Sequence, residues 1–271
     1  MQKIEFVFIV LVYKNTDVLR SFFESLDMIQ NKKVILVNSY YDEESEIRCR
    51  EFAVRNDADF ISVPNLGFGA GNNRGIEYAR ENYQFDYLIL SNSDIILNNF
   101  VSINMLPKGA CVVAPDTRLL SGKPQNPNVP KESKLAFWLL KKYLEKECDL
   151  YLHGAHIISR MQREIFMIYT RIIKKNRYKI FSFHGSFIIF SAKALDMLFP
   201  VFDERIFLYN EEGYLASKCK YLGIPSYFYP KLKVTHLEGA SSQSSRLIEE
   251  NKKSLRILLE VRDNMDFFHK D

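Results

Sequence analysis

Five short apolar runs, separated by helical patterns and turns, occupy the first 115 residues and leave this part of the chain few ways to fold. The runs cover residues 4–12, 34–37, 60–63, 87–90 and 111–114. Between them, 17–29 places Val18, Phe22, Leu26 and Ile29 on one helical face, and 45–55 and 71–82 read as further helices. Apolar strands alternating with helices predict a mostly parallel sheet covered on both faces, the α/β class.

Residues 122–130 hold three prolines, two asparagines and a glycine, the composition of a loop and of an internal boundary. Two helical patterns follow. Leu135, Trp138, Leu139 and Tyr143 line up in the first, and Ile157, Met161, Ile165, Ile168 and Ile172 in the second. Beyond them, strands are predicted at 186–190, 227–229 and 233–235, and helices at 192–198, 211–221 and 245–268. Between Lys123 and Lys179 there are thirteen Lys and Arg against five Asp and Glu, whereas the whole chain carries only +4. One segment therefore holds the entire positive excess.

The four cysteines are widely spaced, with no CxxC pair, so reduced thiols are expected rather than a zinc site or a disulfide framework. The apolar run after Lys3 is short, Glu5 interrupts its basic flank and no small-residue cleavage site follows. It reads as a buried strand, not a signal peptide. No run approaches the ~18 apolar residues of a membrane span. A cytoplasmic location is expected.

Four polar clusters carry the chemistry. The strand at 87–90 runs into Asn92-Ser93-Asp94. A buried strand ending in a carboxylate presents it at the carboxyl edge of the sheet, where open α/β sheets bind ligands. A hard cation bridging a diphosphate needs oxygen ligands there, so Asp94 is a metal candidate; an Asx turn or helix cap is the plainer account. Upstream, Asn65-Leu66-Gly67-Phe68-Gly69-Ala70-Gly71-Asn72-Asn73-Arg74-Gly75 opens a helix. It reads equally as a tight turn and as a phosphate cradle, and it is neither a P-loop nor a Rossmann fingerprint in its usual place.

Glu211 and Glu212 open a helix within Tyr209-Asn210-Glu211-Glu212-Gly213-Tyr214. Two acids at a helix start suit the helix dipole. An apolar, aromatic surround of Phe207, Leu208, Tyr209 and Tyr214 would instead hold a carboxylate at raised pKa as a general base. Successive helical residues point about 100° apart, so only one of the two can face a cleft. Finally, His236 closes a short strand ahead of a Gly/Ser loop at 237–242. Its imidazole suits a divalent ion, and the loop amides suit phosphate.

The order of these pieces resembles the family 2 glycosyltransferases, closest to the rhamnosyltransferase-like and capsular-polysaccharide members. The likeness runs over residues 4–115 and 183–242, through Asn65–Ile76, Leu-Ser-Asn-Ser-Asp-Ile, His-Gly-Ser-Phe, Phe-Asp-Glu-Arg-Ile-Phe-Leu-Tyr-Asn-Glu-Glu and Val-Thr-His-Leu-Glu-Gly-Ala-Ser-Ser. It implies a single GT-A domain: a nucleotide-sugar half at 1–118, a basic helical insertion at 119–182, a catalytic half at 183–242 and a terminal helix at 243–271. It further implies an inverting transfer from a UDP- or dTDP-sugar to a glycan or lipid-linked acceptor in surface polysaccharide synthesis, with Mg2+ or Mn2+ as cofactor.

The same resemblance puts the metal on Asp94 and His236 and the base on Glu212, with Glu211 second. The donor falls on Val12, Tyr13, Asn38, Asn65, Gly67, Gly71, Asn72, Arg74, Asn92 and Ser93. The chain departs from the family at Asn38 and Asn92, where acids are usual. An amide still pairs with uracil or thymine, because it both donates and accepts.

The basic helices at 133–179 read either as a pair packed on the sheet with a solvated face or as a contact for an anionic membrane surface, which would make the protein peripheral at the inner face of the cell membrane. No nucleic-acid motif accompanies the charge. A nucleotidyltransferase would carry a glycine-rich basic loop where Tyr13-Lys14-Asn15-Thr16 stands. A non-catalytic surface module with the same fold is the other alternative.

Overall fold

The computed structural model describes residues 3–100, 105–237 and 245–264. In chain order its elements are β1 (Ile4–Val12), α1 (Leu19–Ser25), β2 (Lys32–Ser39), α2 (Glu43–Arg55), β3 (Asp59–Val63), α3 (Phe68–Asn82), β4 (Phe85–Asn92), β5 (Ile95–Asn99) and β6 (Val112–Leu119). There follow α4 (Lys134–Lys146), α5 (Asp149–Ile173), β7 (Tyr178–Ile180), β8 (Phe187–Ser191), α6 (Ala192–Leu198), α7 (Glu211–Tyr221), β9 (Ser226–His236) and α8 (Ser245–Asp263).

The nine strands of the described residues join one sheet in the order β3-β2-β1-β4-β8-β6-β9-β5, with β7 alongside β9. The stretch from β3 to β4 is parallel, as the alternating pattern requires. Beyond β4 the sheet is mixed: β8 runs antiparallel to β4 and β6, and β9 runs parallel to β6 but antiparallel to β5 and β7.

Both faces of β1 are buried because its residues are apolar at every position from Phe6 to Val12. Phe8, Val10 and Val12 pack with Leu19 and Phe22 of α1 and with Cys49 and Ala53 of α2. Val7 and Ile9 meet Ile76 and Ala79 of α3 on the opposite face. Gly75 makes that approach possible, since a Cβ there would lie 2.4 Å from the Ile9 side chain. A smaller third core joins Tyr143 of α4, Tyr214 of α7 and Leu255, Leu258 and Leu259 of α8.

Several elements differ from the sequence reading. Strands β5 and β7 are too short to show a period of their own. Strand β9 is continuous across both predicted strands, and its pairing with β6 shifts register after Tyr229, which takes Pro230 out of the regular ladder. Helix α1 is shorter than 17–29, although Leu26 and Ile29 remain in the core. Helix α3 starts at Phe68, three residues ahead of Gly71. The predicted Gly/Ser loop from Glu238 to Ser242 and the end of the terminal helix at 265–268 lie outside the described residues.

The largest difference concerns α5. The aligned residues Ile157, Met161, Ile165, Ile168 and Ile172 are each more than half exposed, while Ala155, Met167 and Thr170 form the buried side. Phe166 anchors that inner side through ring contacts with Tyr178 and Phe228.

Candidate active site

The carboxyl ends of β1, β2, β3 and β4 share one edge of the sheet, and the register there is fixed by the ladders. Val12 pairs with Asn38, Asn38 with Ser62, and Leu11 with Asn92. Val12, Tyr13, Asn38, Asn65, Asn92, Ser93 and Asp94 therefore lie along a common rim. Asn38 is buried and donates from Nδ2 to Ser62 Oγ (3.0 Å). Tyr13 is exposed, its ring 5.6 Å edge-to-face from Tyr41, with the Lys14 ammonium 3.7 Å above the Tyr41 ring. Tyr41 and Lys14 were not picked out in the sequence; two exposed aromatics directly after a strand, Tyr40 and Tyr41, were the available signal.

The glycine-rich segment turns inward. Gly67 has φ +107° and a Cβ there would meet the Phe207 carbonyl oxygen at 2.2 Å; that carbonyl accepts from Phe68 N–H (2.9 Å). At Gly71 a Cβ would collide with Leu11. Asn72 is buried and donates to Phe68 O (2.9 Å). The neighbouring Asn73 clamps the Phe202 backbone from both sides, accepting from its N–H and donating to its carbonyl. Arg74 pairs with Glu77 and Glu204. These contacts fasten the start of α3 to the 202–207 segment, which leads into α7.

Asp94 and His236 come together because β5 pairs antiparallel with β9, with Ile95 opposite His236. Leu237 N–H donates to Asp94 O (2.9 Å), and His236 Nε2 lies 3.2 Å from Asp94 Oδ1. On its other side, His236 Nδ1 lies 2.8 Å from Gln125 Oε1. With the amide oxygen facing the ring, that bond requires the proton on Nδ1. The Nε2 lone pair then faces a carboxylate, an arrangement completed by a second proton or by a cation shared between the two atoms. A metal-ligating histidine likewise donates its other ring N–H to an oxygen acceptor that fixes the ring. The residues present thus fit a divalent ion as one oxygen and one nitrogen ligand. Among the described residues no three His, Cys, Asp or Glu side chains gather as a metal site. Most of the coordination would have to come from water and a bound diphosphate.

Glu212 is linked to this pair through the turn at His184 and Gly185. Its Oε1 accepts from Gly185 N–H (3.0 Å), and the ring of the adjacent His184 packs edge-on against His236, centroids 5.7 Å apart. Ser186 O in turn accepts from Asn92 N–H (2.9 Å), tying this turn to the end of β4. Asn126, fully buried, accepts from His184 N–H (2.7 Å) and donates to Thr117. Gln125, Asn126 and His184 thus hold the site together. The sequence reading passed over the first two as loop composition.

The two adjacent acids separate as helical geometry demands. Glu212 is half-buried on the side of Gly185. Glu211 is buried, and its Oε1 has no hydrogen-bond partner among the described residues. Burial, reinforced by the charge of Glu212, pushes its pKa up to about 8. Two clefts of about 560 and 530 Å3 lie elsewhere, between α3 and α6 and beneath α5, and neither is lined by Asp94, Glu212 or His236.

No family model and no curated protein sequence matches the chain. Solved structures do. S. aureus TarS superposes with TM-score 0.59 at 10% identity, over 98% of this chain and 42% of that one. GalNAc-T7 with UDP, GalNAc and Mn2+ gives TM-score 0.65 at 12% identity, over 98% of this chain and 50% of that one. A shorter TarS fragment, residues 1–349, gives 0.56 at 10% identity, over 98% of this chain and 69% of the fragment. The chain spans about half the length of the first two. What it shares with them at these identities is its architecture, the mixed α/β fold of the GT-A glycosyltransferases.

Proposed function

We propose that the chain transfers a sugar from a nucleotide diphosphate donor, UDP- or dTDP-linked, to a hydroxyl of a glycan or lipid-linked acceptor, with inversion at the anomeric carbon. What supports this reading is the Asp94–His236 pair just past the carboxyl end of β4, with the Glu212 carboxylate on Gly185 N–H, next to His184, whose ring packs on His236. GalNAc-T7, which shares the fold, holds UDP and Mn2+.

The chain's own residues divide the work. The rim from Tyr13 to Asn38 takes the nucleoside, with Tyr13 and Tyr41 offering aromatic faces. Asp94 and His236 take Mg2+ or Mn2+, which when bound supplies positive charge opposite the leaving diphosphate. Glu212, oriented by Gly185 N–H, removes the proton from the acceptor hydroxyl as its oxygen attacks the anomeric carbon from the face opposite the leaving group. Charge builds on the sugar as in other glycosyl transfers. Asn73 and Arg74 serve this site by fixing the 202–207 segment ahead of α7, and Asn72 braces the first turn of α3 through Phe68 O.

The test is a panel of UDP- and dTDP-sugars with Mn2+, read by thermal shift and by donor hydrolysis. A matching donor raises the melting temperature by mass action. Glu212→Gln should abolish transfer and leave the donor-induced shift intact. Transfer retained in that variant would remove Glu212 from the base role. A panel with neither shift nor hydrolysis would overturn the sugar-transfer reading itself.

A further inference from the structure

Helix α5 is 25 residues long, and its outward side is apolar. Leu150, Ile157, Met161, Ile165, Ile168 and Ile172 follow one another at helical spacing along that side, with Leu150 79% and Ile172 71% exposed. At 1.5 Å per residue the ridge runs for about 33 Å. Trp138 of α4, half-exposed, sits edge-on to Tyr151 beside it, and Tyr169 is exposed on the ridge's flank. Helix burial alone does not explain this face, because the opposite side already provides the contact with the body of the protein.

Charge identifies what covers it. Arg160, paired with Glu164 (2.9 Å), and Arg171 flank the ridge, and Lys174, Lys175, Arg177 and Lys179 are exposed just past its end. Residues 123–179 carry thirteen basic against five acidic side chains in a chain of net charge +4, so the rest is net acidic. Two copies meeting through this face would bring two strongly basic segments together. An anionic surface would instead be attracted to it. Interfacial helices combine these features: an apolar side, basic flanks and aromatic residues at the boundary. Among the described residues no helix is long and apolar enough to cross a membrane.

We infer that α5 is a bilayer-docking helix, which seats its Ile/Met ridge in the interface of an anionic membrane while Arg160, Arg171 and the basic cluster at 174–179 engage lipid headgroups. The docked face is joined to the candidate catalytic helix: α4 packs on α5 and is tied to α8 by the Lys141–Asp263 ion pair (2.5 Å), and α8 packs on α7. Docking would thereby hold the site at a fixed height over the surface.

The experiment is co-sedimentation of the full chain with vesicles of neutral phosphatidylcholine, or of phosphatidylcholine with 30% phosphatidylglycerol, at low and high salt. Expected are binding to the anionic vesicles, at least tenfold weaker binding to the neutral ones, and weakening by salt as surface charges are screened. Ile165→Glu/Ile168→Glu should cut anionic-vesicle binding at least tenfold. Lys174→Glu/Lys175→Glu should weaken it and flatten the salt dependence. All four positions are exposed, and circular dichroism would check that the variants fold. Equal binding of the isoleucine variant, or a concentration-dependent dimer that it abolishes without any vesicle binding, would overturn the proposal. Neither readout uses a sugar donor, so the outcome is separate from the fate of the transferase reading.

Discussion

His236 Nε2 stands 3.2 Å from Asp94 Oδ1 while the far nitrogen of the same ring is held by Gln125 Oε1 at 2.8 Å. Gln125 therefore sets both the rotation of the imidazole and which nitrogen carries the proton. It lies in the loop after β6, and its own N–H donates to Thr117 O (2.9 Å), so the loop is anchored to the sheet.

Removing that acceptor should loosen the ion before it affects the chemistry. Gln125→Leu is expected to raise the Mn2+ concentration needed for half-maximal donor hydrolysis by about 10–100-fold, the usual cost of losing the group that orients a metal-ligating imidazole. The rate at saturating Mn2+ should stay near that of the wild type. Gln125→Glu keeps an acceptor on Nδ1 and should restore most of the affinity. An unchanged Mn2+ requirement in the leucine variant would show that Gln125 does not orient the ring.

The Glu212 carboxylate accepts from Gly185 N–H, a contact that a small change can disturb. A Cβ at Gly185 would lie 2.9 Å from Glu212 Oε1. Gly185→Ala should push the carboxylate off its position and also weaken its bond to the Gly185 N–H. A displacement near 1 Å at a reacting group costs on the order of 100-fold in rate. Steady-state kinetics should show kcat falling by about that factor with the donor KM little changed. A raised KM at constant kcat would place Glu212 in donor binding instead.

Much of this site was legible in the sequence, for identifiable reasons. Asp94 showed because it ends an apolar strand, and β4 does end there. The paired acids showed because two carboxylates at a helix start are chemically conspicuous. What joins them did not show. Strand β5 brings Asp94 to His236, yet its five residues after a turn carry no readable period. Gln125 and Asn126 sit in a proline-rich stretch whose composition signals only a loop. The glycines showed as glycines, but composition does not say whether a missing Cβ makes room for a phosphate or for the Phe207 backbone. In α5 the helical period was correct and its direction was not determined: a stripe of isoleucines reads the same whether it faces in or out.

Two buried groups give the fold a distinctive response to pH. Glu211 rises from an ordinary 4.5 to about 8, through burial and then through repulsion from Glu212. Between those values the folded chain holds a proton that the unfolded chain has lost, so this group's stabilising contribution, complete below pH 4.5, is lost as pH rises through 8. Lys218, which donates to Leu198 O and Pro200 O, is lowered by burial from 10.5 to about 8. Between 8 and 10.5 the unfolded chain binds the extra proton, so stability recovers across that window. Together they place a shallow minimum near pH 8. Glu211→Gln should lessen the fall in melting temperature between pH 5 and 8. An identical pH profile in that variant would show that Glu211 titrates normally in the folded state.

The start of α3 should tolerate no side chain at position 67. Gly67 has φ +107°, a conformation that costs about 1–3 kcal/mol for other residues, and a Cβ there would also lie 2.2 Å from Phe207 O and 2.6 Å from its Cα. Both obstacles are backbone atoms, so no rotamer change relieves them. The Phe207 carbonyl also accepts from Phe68 N–H, so pushing it away would break the joint between α3 and the segment that leads to Glu211 and Glu212. Gly67→Ala should therefore destabilise the fold by about 3 kcal/mol or more, among the large single-residue effects. That is a drop of roughly 6–12 °C in melting temperature for a chain of this size. Gly109→Ala is the control, since a Cβ there meets nothing within 4 Å, and its melting temperature should match the wild type. If Gly67→Ala melts with the control, the contact with Phe207 is not what fixes α3 in place.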